Sequence, residues 1–221
     1  MTMNTDALIR DIAANAAPVR PLPRPERRAW AWLGVALAIV VVVMAIHGID
    51  AEQLRRALSD PRLIGEELAT VATAVSAAIA AFQSTVPGAG RKWFWVPFAA
   101  LAAWVLLTGA GCAADYAVLG PAALGLRLDT ACFVPGAIAG AVAAVVAIMM
   151  LKRGAPLAPR WTLAFTGIAV AAAVNFGLLV LHEGDVSVML LIWHTGYVAV
   201  FAAVGAWLAP AILAWPRRAT Q

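Results

Sequence analysis

Charged side chains are scarce in this chain: 13% of 221 residues, against 63% hydrophobic ones. A soluble domain carries about 25% charged and about 45–50% apolar residues, so an ordinary water-facing surface cannot be built from this composition. No Asp, Glu, Lys or Arg interrupts six apolar runs, Ala29–Ile49, Leu68–Val86, Trp93–Gly111, Ala131–Leu151, Trp161–Leu181 and Val188–Ala209. Lacking such residues inside the runs, the chain has little with which to build a proton-coupled transport path. Period-2 alternation is missing as well, which argues against barrel strands. There are only two cysteines, with no CxxC pair and no HExxH helix, so no recognisable zinc or redox motif is present. A cleavable signal peptide is not expected, because residues 1–29 are polar and proline-bearing and the run that follows is too long for an h-region.

What remains is a chain made for a bilayer. Each run is near the roughly 20 residues that a helix needs to cross about 30 Å of hydrocarbon. The second run could equally begin at Glu66 or Glu67, where a carboxylate would complement the helix dipole. The expected fold is all-α, a polytopic membrane bundle of six transmembrane helices. Twelve Lys and Arg residues flank the runs on the side shared by both termini, against Arg55, Arg56, Arg62 and Arg127 on the other. The positive-inside rule then places both termini in the cytoplasm. That bias also accounts for the net charge of +4 without a direct nucleic-acid partner. In a bacterium the location is the inner membrane, with the lipid bilayer as a partner. Trp30, Trp32, Trp93, Trp95, Trp161 and Trp215 fall near cytoplasmic ends, where an aromatic belt belongs. Three segments follow: a cytoplasmic tail, 1–29; a transmembrane domain, 30–209; and a C-terminal tail, 210–221. The cytoplasmic parts are too small to fold alone.

The tail is patterned. Asn4 or Thr5 can cap a helix with Asp6 in its first turn. Leu8, Ile9 and Ile12 then share one face, and Pro18 ends the helix. Pro21, Pro23 and Pro25 keep the next residues extended, among Arg20, Arg24, Arg27 and Arg28. A short apolar-faced helix on a basic stalk is marginal alone and orders on docking. Its partner could be a protein groove, the anionic leaflet, or the chain's own inner loops.

On the other side of the bilayer lie Cys112 and Cys132, expected at the outer ends of the third and fourth helices. They could form a structural disulfide, be inert, or act as thiols that sense an oxidant or a soft metal. His47, His182 and His194 are also in the outer half, with Asp115, Glu183 and Asp185 at similar depth. Cysteine, imidazole and carboxylate together suit a heavy-metal ion. His194, well inside its helix, is equally suited to bonding a neighbouring helix. Gly136 and Gly140, or Ala139 and Ala143, are spaced for close helix packing.

Short motifs in order along the chain resemble a known family. They are Asp6-Ala7-Leu8-Ile9, Pro18-Val19-Arg20-Pro21-Leu22, Asp60-Pro61-Arg62, Val86-Pro87-Gly88, Gly111-Cys112, Asp115 to Pro121, Cys132, Ala155-Pro156-Leu157 and Trp193-His194. Together they are similar to the NrsF-like negative regulators of sigma F, six-helix membrane anti-sigma factors. The resemblance implies a non-enzymatic regulator that needs no cofactor. It would sequester an extracytoplasmic-function sigma factor at the inner membrane and release it under periplasmic or membrane stress. Leu8, Ile9 and Ile12 would be the contact face, with Arg20 and Arg24 as rim charges. Cys112, Cys132, His182, Asp185 and His194 would serve redox or metal sensing. After the fifth run the chain reads His182-Glu183-Gly184-Asp185, where the family pattern resembles His-Cys beside an acidic residue. Thiol sensing would then rest on Cys112 and Cys132, acting through a bistable bundle whose third and fourth helices shift the inner loops and the tail. A small membrane transporter or metal exporter is the alternative from another class. A quinone- or haem-linked redox protein is a third.

Overall fold

The computed structural model describes residues 4–16, 21–48, 51–88, 90, 92–124, 130–154, 156–178 and 187–213. Among them the fold is helical, with no strand. In chain order come α1 (Thr5–Asn15), α2 (Pro25–His47), α3 (Ala51–Ser59), α4 (Pro61–Gln83) and α5 (Lys92–Leu119). A 3-10 turn (Gly120–Leu124) leads to α6 (Thr130–Lys152), α7 (Pro159–Leu178) and α8 (Ser187–Ile212). Six of these, α2 and α4 to α8, are long and apolar enough to cross a membrane.

Local chemistry sets where the helices begin and end. Pro25 opens α2, where a missing amide costs nothing, and Glu26 complements the dipole. Asp60 caps α4 by accepting the Arg62 amide at 2.9 Å, and Pro61 takes the first turn. The second span therefore starts at Pro61 and not at Leu68 or Glu66, and it contains Arg62, Glu66 and Glu67. The apolar run itself stays uncharged, and these charges stand in the turns that precede it. The third helix does not close at Gly111. It runs on to Leu119, so Cys112 and Asp115 stand on α5 and not in a loop. At the other terminus α8 continues past Ala209 through Pro210 to Ile212.

Helix α7 is the central element, buried along most of its length. It packs on α8, α4, α6 and α2. Its approach to α8 is close enough to need glycine. A Cβ at Gly167 would strike the Phe201 carbonyl, and one at Gly205 would strike that of Leu163. Small residues on α6 serve two faces. Gly136 meets Val174 and Leu178 of α7, while Ala139 packs in a cluster with Val40, Val43 and Met44 of α2. Such interfaces hold where lipid supplies no hydrophobic drive and backbones must come near for dispersion to act. Trp32 is only 1% exposed and donates its Nε1–H to the Ala143 carbonyl at 3.0 Å. It joins α2 to α6 inside the bundle and is not part of an aromatic belt. Trp30, Trp95 and Trp161 are exposed, as a belt requires.

Four threonine hydroxyls inside the spans turn back on their own helices. Thr70 bonds the Glu66 carbonyl at 2.9 Å, Thr73 that of Ala69 at 2.8 Å, Thr108 that of Trp104 at 3.1 Å and Thr166 that of Thr162 at 2.8 Å. Away from water, this intrahelical bond removes the penalty of burying a hydroxyl.

Candidate functional site

Polar side chains gather in three places: the tail, the end of the bundle from which the tail extends, and the opposite, far end. The tail helix α1 forms as its sequence specifies. Asn4 accepts the Asp6 amide at 3.1 Å, and Arg10 Nε reaches back to the Asp6 carbonyl at 3.2 Å. Every residue of α1 is exposed. Leu8, Ile9 and Ile12 are 42%, 58% and 61% exposed, so the apolar face is not buried on the described inner-loop residues. Residues 21–24 follow without helix, and Arg24 is exposed. Arg20 lies outside the described residues.

Arg28 is not a free stalk charge, and here the sequence reading is corrected. It is buried at the tail end of the bundle, donating to Thr85 Oγ1 at 3.3 Å and to the Met150 carbonyl at 2.5 Å. Its guanidinium lies over the Phe82 ring, 5.0 Å from the centroid. Beside it, Gln83 Nε2 donates to Glu26 at 2.5 Å. Ser84 and Thr162 hydroxyls meet at 2.7 Å, and the Leu157 amide donates to the Ser84 carbonyl at 3.3 Å. The root of the tail is thus clamped to α6 and to the end of α4, and the end of α4 in turn to α7. Phe94 packs edge-on to Trp161 and Phe165, with centroids at 4.6 Å and 5.5 Å, and brings in α5.

At the far end Arg62 of α4 grips Asp115 of α5 with both outer nitrogens, at 2.9 Å and 3.4 Å. It also reaches Glu66 at 3.4 Å. The guanidinium lies in the space that Gly111 leaves open, where a Cβ would overlap it. Glu66 is buried, and Glu67 Oε2 is buried without a hydrogen-bond partner. Cys112 is a free, half-buried thiol three residues before Asp115, on the same helix face.

Of the sensing candidates, Cys112 therefore stands next to an ion cluster that sequence reasoning did not assemble. Cys132 lies in the first turn of α6, as expected, though its side chain is outside the described set. His182 and Asp185 also lie outside the described residues. His194 is buried on α8 against α7, and its carbonyl accepts from Asn175 Nδ2 at 3.4 Å. His47 turns Nδ1 to the Val43 carbonyl at 2.8 Å. Among the described residues no group of three or more His, Cys, Asp or Glu is placed to hold a metal ion. The ion pair had a signal in the sequence. Arg62 and Asp115 fall at matched depth where consecutive spans meet the far surface, and a glycine lies one turn before the aspartate.

One family model matches the chain, that described as "Negative regulator of sigma F", over residues 12–215. The match takes in Ile12, the stalk, both polar ends of the bundle and all six spans. Leu8 and Ile9 precede it. No curated protein and no solved structure matches the chain.

Proposed function

Because this chain belongs to the NrsF family of negative regulators of sigma F, we propose that it is an anti-sigma factor of the bacterial inner membrane. Its tail holds an extracytoplasmic-function sigma factor away from core RNA polymerase and releases it under periplasmic or membrane stress. Both termini face the cytoplasm, in accord with the distribution of Lys and Arg. The observation that carries this reading is α1: a capped helix with three large apolar side chains exposed, joined through a proline-bearing segment of the sequence to a six-helix bundle. Such a face is a ligand for a groove, with apolar anchors at its centre and Arg24 at its rim. Residues Glu26 and Arg28 hold the root of the stalk to α4 and α6, so a change in the bundle reaches the tail through them. A periplasmic signal would act at the far end, where Cys112 adjoins the Arg62–Asp115 pair.

A small transporter would need polar side chains turned into a path. Thr70, Thr73, Thr108 and Thr166 turn their hydroxyls back on their own helices and not into a path, which supports the regulator. The deciding test uses the full chain in lipid nanodiscs as bait for the source organism's lysate. A second bait carries Leu8→Asp, Ile9→Asp and Ile12→Asp. A sigma factor captured by the native chain and lost from the variant is the expected outcome. Equal capture by both moves the binding face away from α1, and no sigma factor on either bait overturns the anti-sigma reading.

A further inference from the structure

We propose that α3 is an interfacial helix docked on the lipid leaflet at the far end of the bundle, with Leu54 and Leu58 inserted among the acyl chains and its charged arc in water. This holds whether or not the tail binds a sigma factor. The sequence places Ala51, Leu54 and Leu58 at i, i+3 and i+7, on one side of a helical wheel, and Glu52, Arg55 and Ser59 on the other. Leu54 is 39% exposed and Leu58 69%, so the bundle does not cover them.

The occupant follows from where the chain puts this helix. Helix α3 stands on the connector between α2 and α4, both long and apolar enough to cross the membrane, and it packs against α4. Only Ser59 and the capping Asp60 separate Leu58 from Pro61, the start of the next span. A segment held this close to two membrane-spanning helices cannot leave the bilayer surface by more than its own short linkers. The helices on either side are apolar and exposed next to it in the chain as well, at Ile46 of α2 and at Ile64 and Leu68 of α4. On the polar arc Glu52 and Arg55 pair at 2.8 Å, and Arg56 leaves the helix basic, which suits phosphate headgroups. A nine-residue helix is unstable in water alone, and a leaflet under its apolar side supplies the docking that keeps it formed.

Nitroxide scanning of the full chain tests this. In a Cys112→Ser, Cys132→Ser background, single labels are attached after Glu52→Cys, Leu54→Cys, Arg55→Cys or Leu58→Cys. The protein is placed in vesicles of phosphatidylcholine and phosphatidylglycerol. Labels at positions 54 and 58 should meet dissolved oxygen several-fold more than an aqueous nickel chelate, and those at 52 and 55 the reverse. Equal, water-like access at all four would overturn the proposal. So would exclusion of both reagents at 54 and 58, which would mean that protein, from this chain or a second copy, covers the face. Should the cysteine-free background fail to fold, Leu58→Asp in the native chain is read by hydrogen exchange in the same vesicles. Residues 51–59 should then exchange several-fold faster than in the unchanged chain, and an unchanged rate would sink the idea.

Discussion

Single atoms decide the far-end ion pair. The Arg62 guanidinium lies over α5 where Gly111 has no side chain. Gly111→Ala should expel it from Asp115 and lose charge-assisted bonds worth about 1.5–3 kcal/mol. Thermal unfolding in detergent would show this as a lowered midpoint. Arg62→Gln should do comparable damage, and Gly111→Ala on top of it should add little, since both changes break one contact. Full additivity would refute the shared cause. Trp32→Phe removes the indole donor to the Ala143 carbonyl and some buried volume, and should cost about 1–3 kcal/mol in the same assay. Residues of this kind were the least legible in the sequence. The periodicity of Leu8, Ile9 and Ile12 announced an apolar face. Nothing in the spacing of Arg24, Arg27 and Arg28 distinguished the one that folds inward, because the Met150 carbonyl, Thr85 and Phe82 that receive it are far off in the chain.

Helices were legible in their middles and misjudged at their ends. A hydropathy reading sees each side chain alone, so Arg62, Glu66 and Asp115 read as the limits of apolar spans. Once Arg62 and the two carboxylates neutralise one another, α4 can begin at Pro61 and α5 can run to Leu119. Capping was easier to read, since it acts within a few residues. Asn4 was one of two candidates for α1, and the structure selects it. A helix as short as α1 depends on that cap. Asn4→Ala should remove about 1 kcal/mol of helix stability, and so weaken sigma-factor capture roughly fivefold, while Asn4→Asp should keep it. Titration of the nanodisc-embedded chain with the purified partner would check both. Equal affinity for all three would mean that α1 binds in another conformation.

At the scale of the molecule, the number of spans and the pairing of both termini at one end follow from run lengths and loop lengths. The order of packing does not. Which helix would be central could not be read from six similar runs of Ala, Val, Leu and Gly. Gly167 and Gly205, which meet carbonyls across the α7–α8 contact, set the closest packing of α7. Gly167→Leu should therefore prevent assembly, seen as loss of a single monodisperse peak after detergent extraction, whereas Gly34→Leu, where a Cβ meets nothing, should extract normally. Orientation has its own test. A fluorescent-protein fusion after Gln221 should glow, and an alkaline-phosphatase fusion within α3 should be active. The opposite pair of results would invert the topology and remove the tail from any cytoplasmic partner.

Helix α4 is tied by side chains at both ends, through Arg62 to α5 and through Gln83 and the following Ser84 and Thr85 to α2, α7 and the root of the tail. Its 23 residues span about 35 Å. The hydrogen-bonded ladder of a helix barely stretches over such a length, which suits α4 to act as an axle. A turn that swings Arg62 off Asp115 at one surface carries Gln83 through the same angle against Glu26 at the other, with no moving part between them.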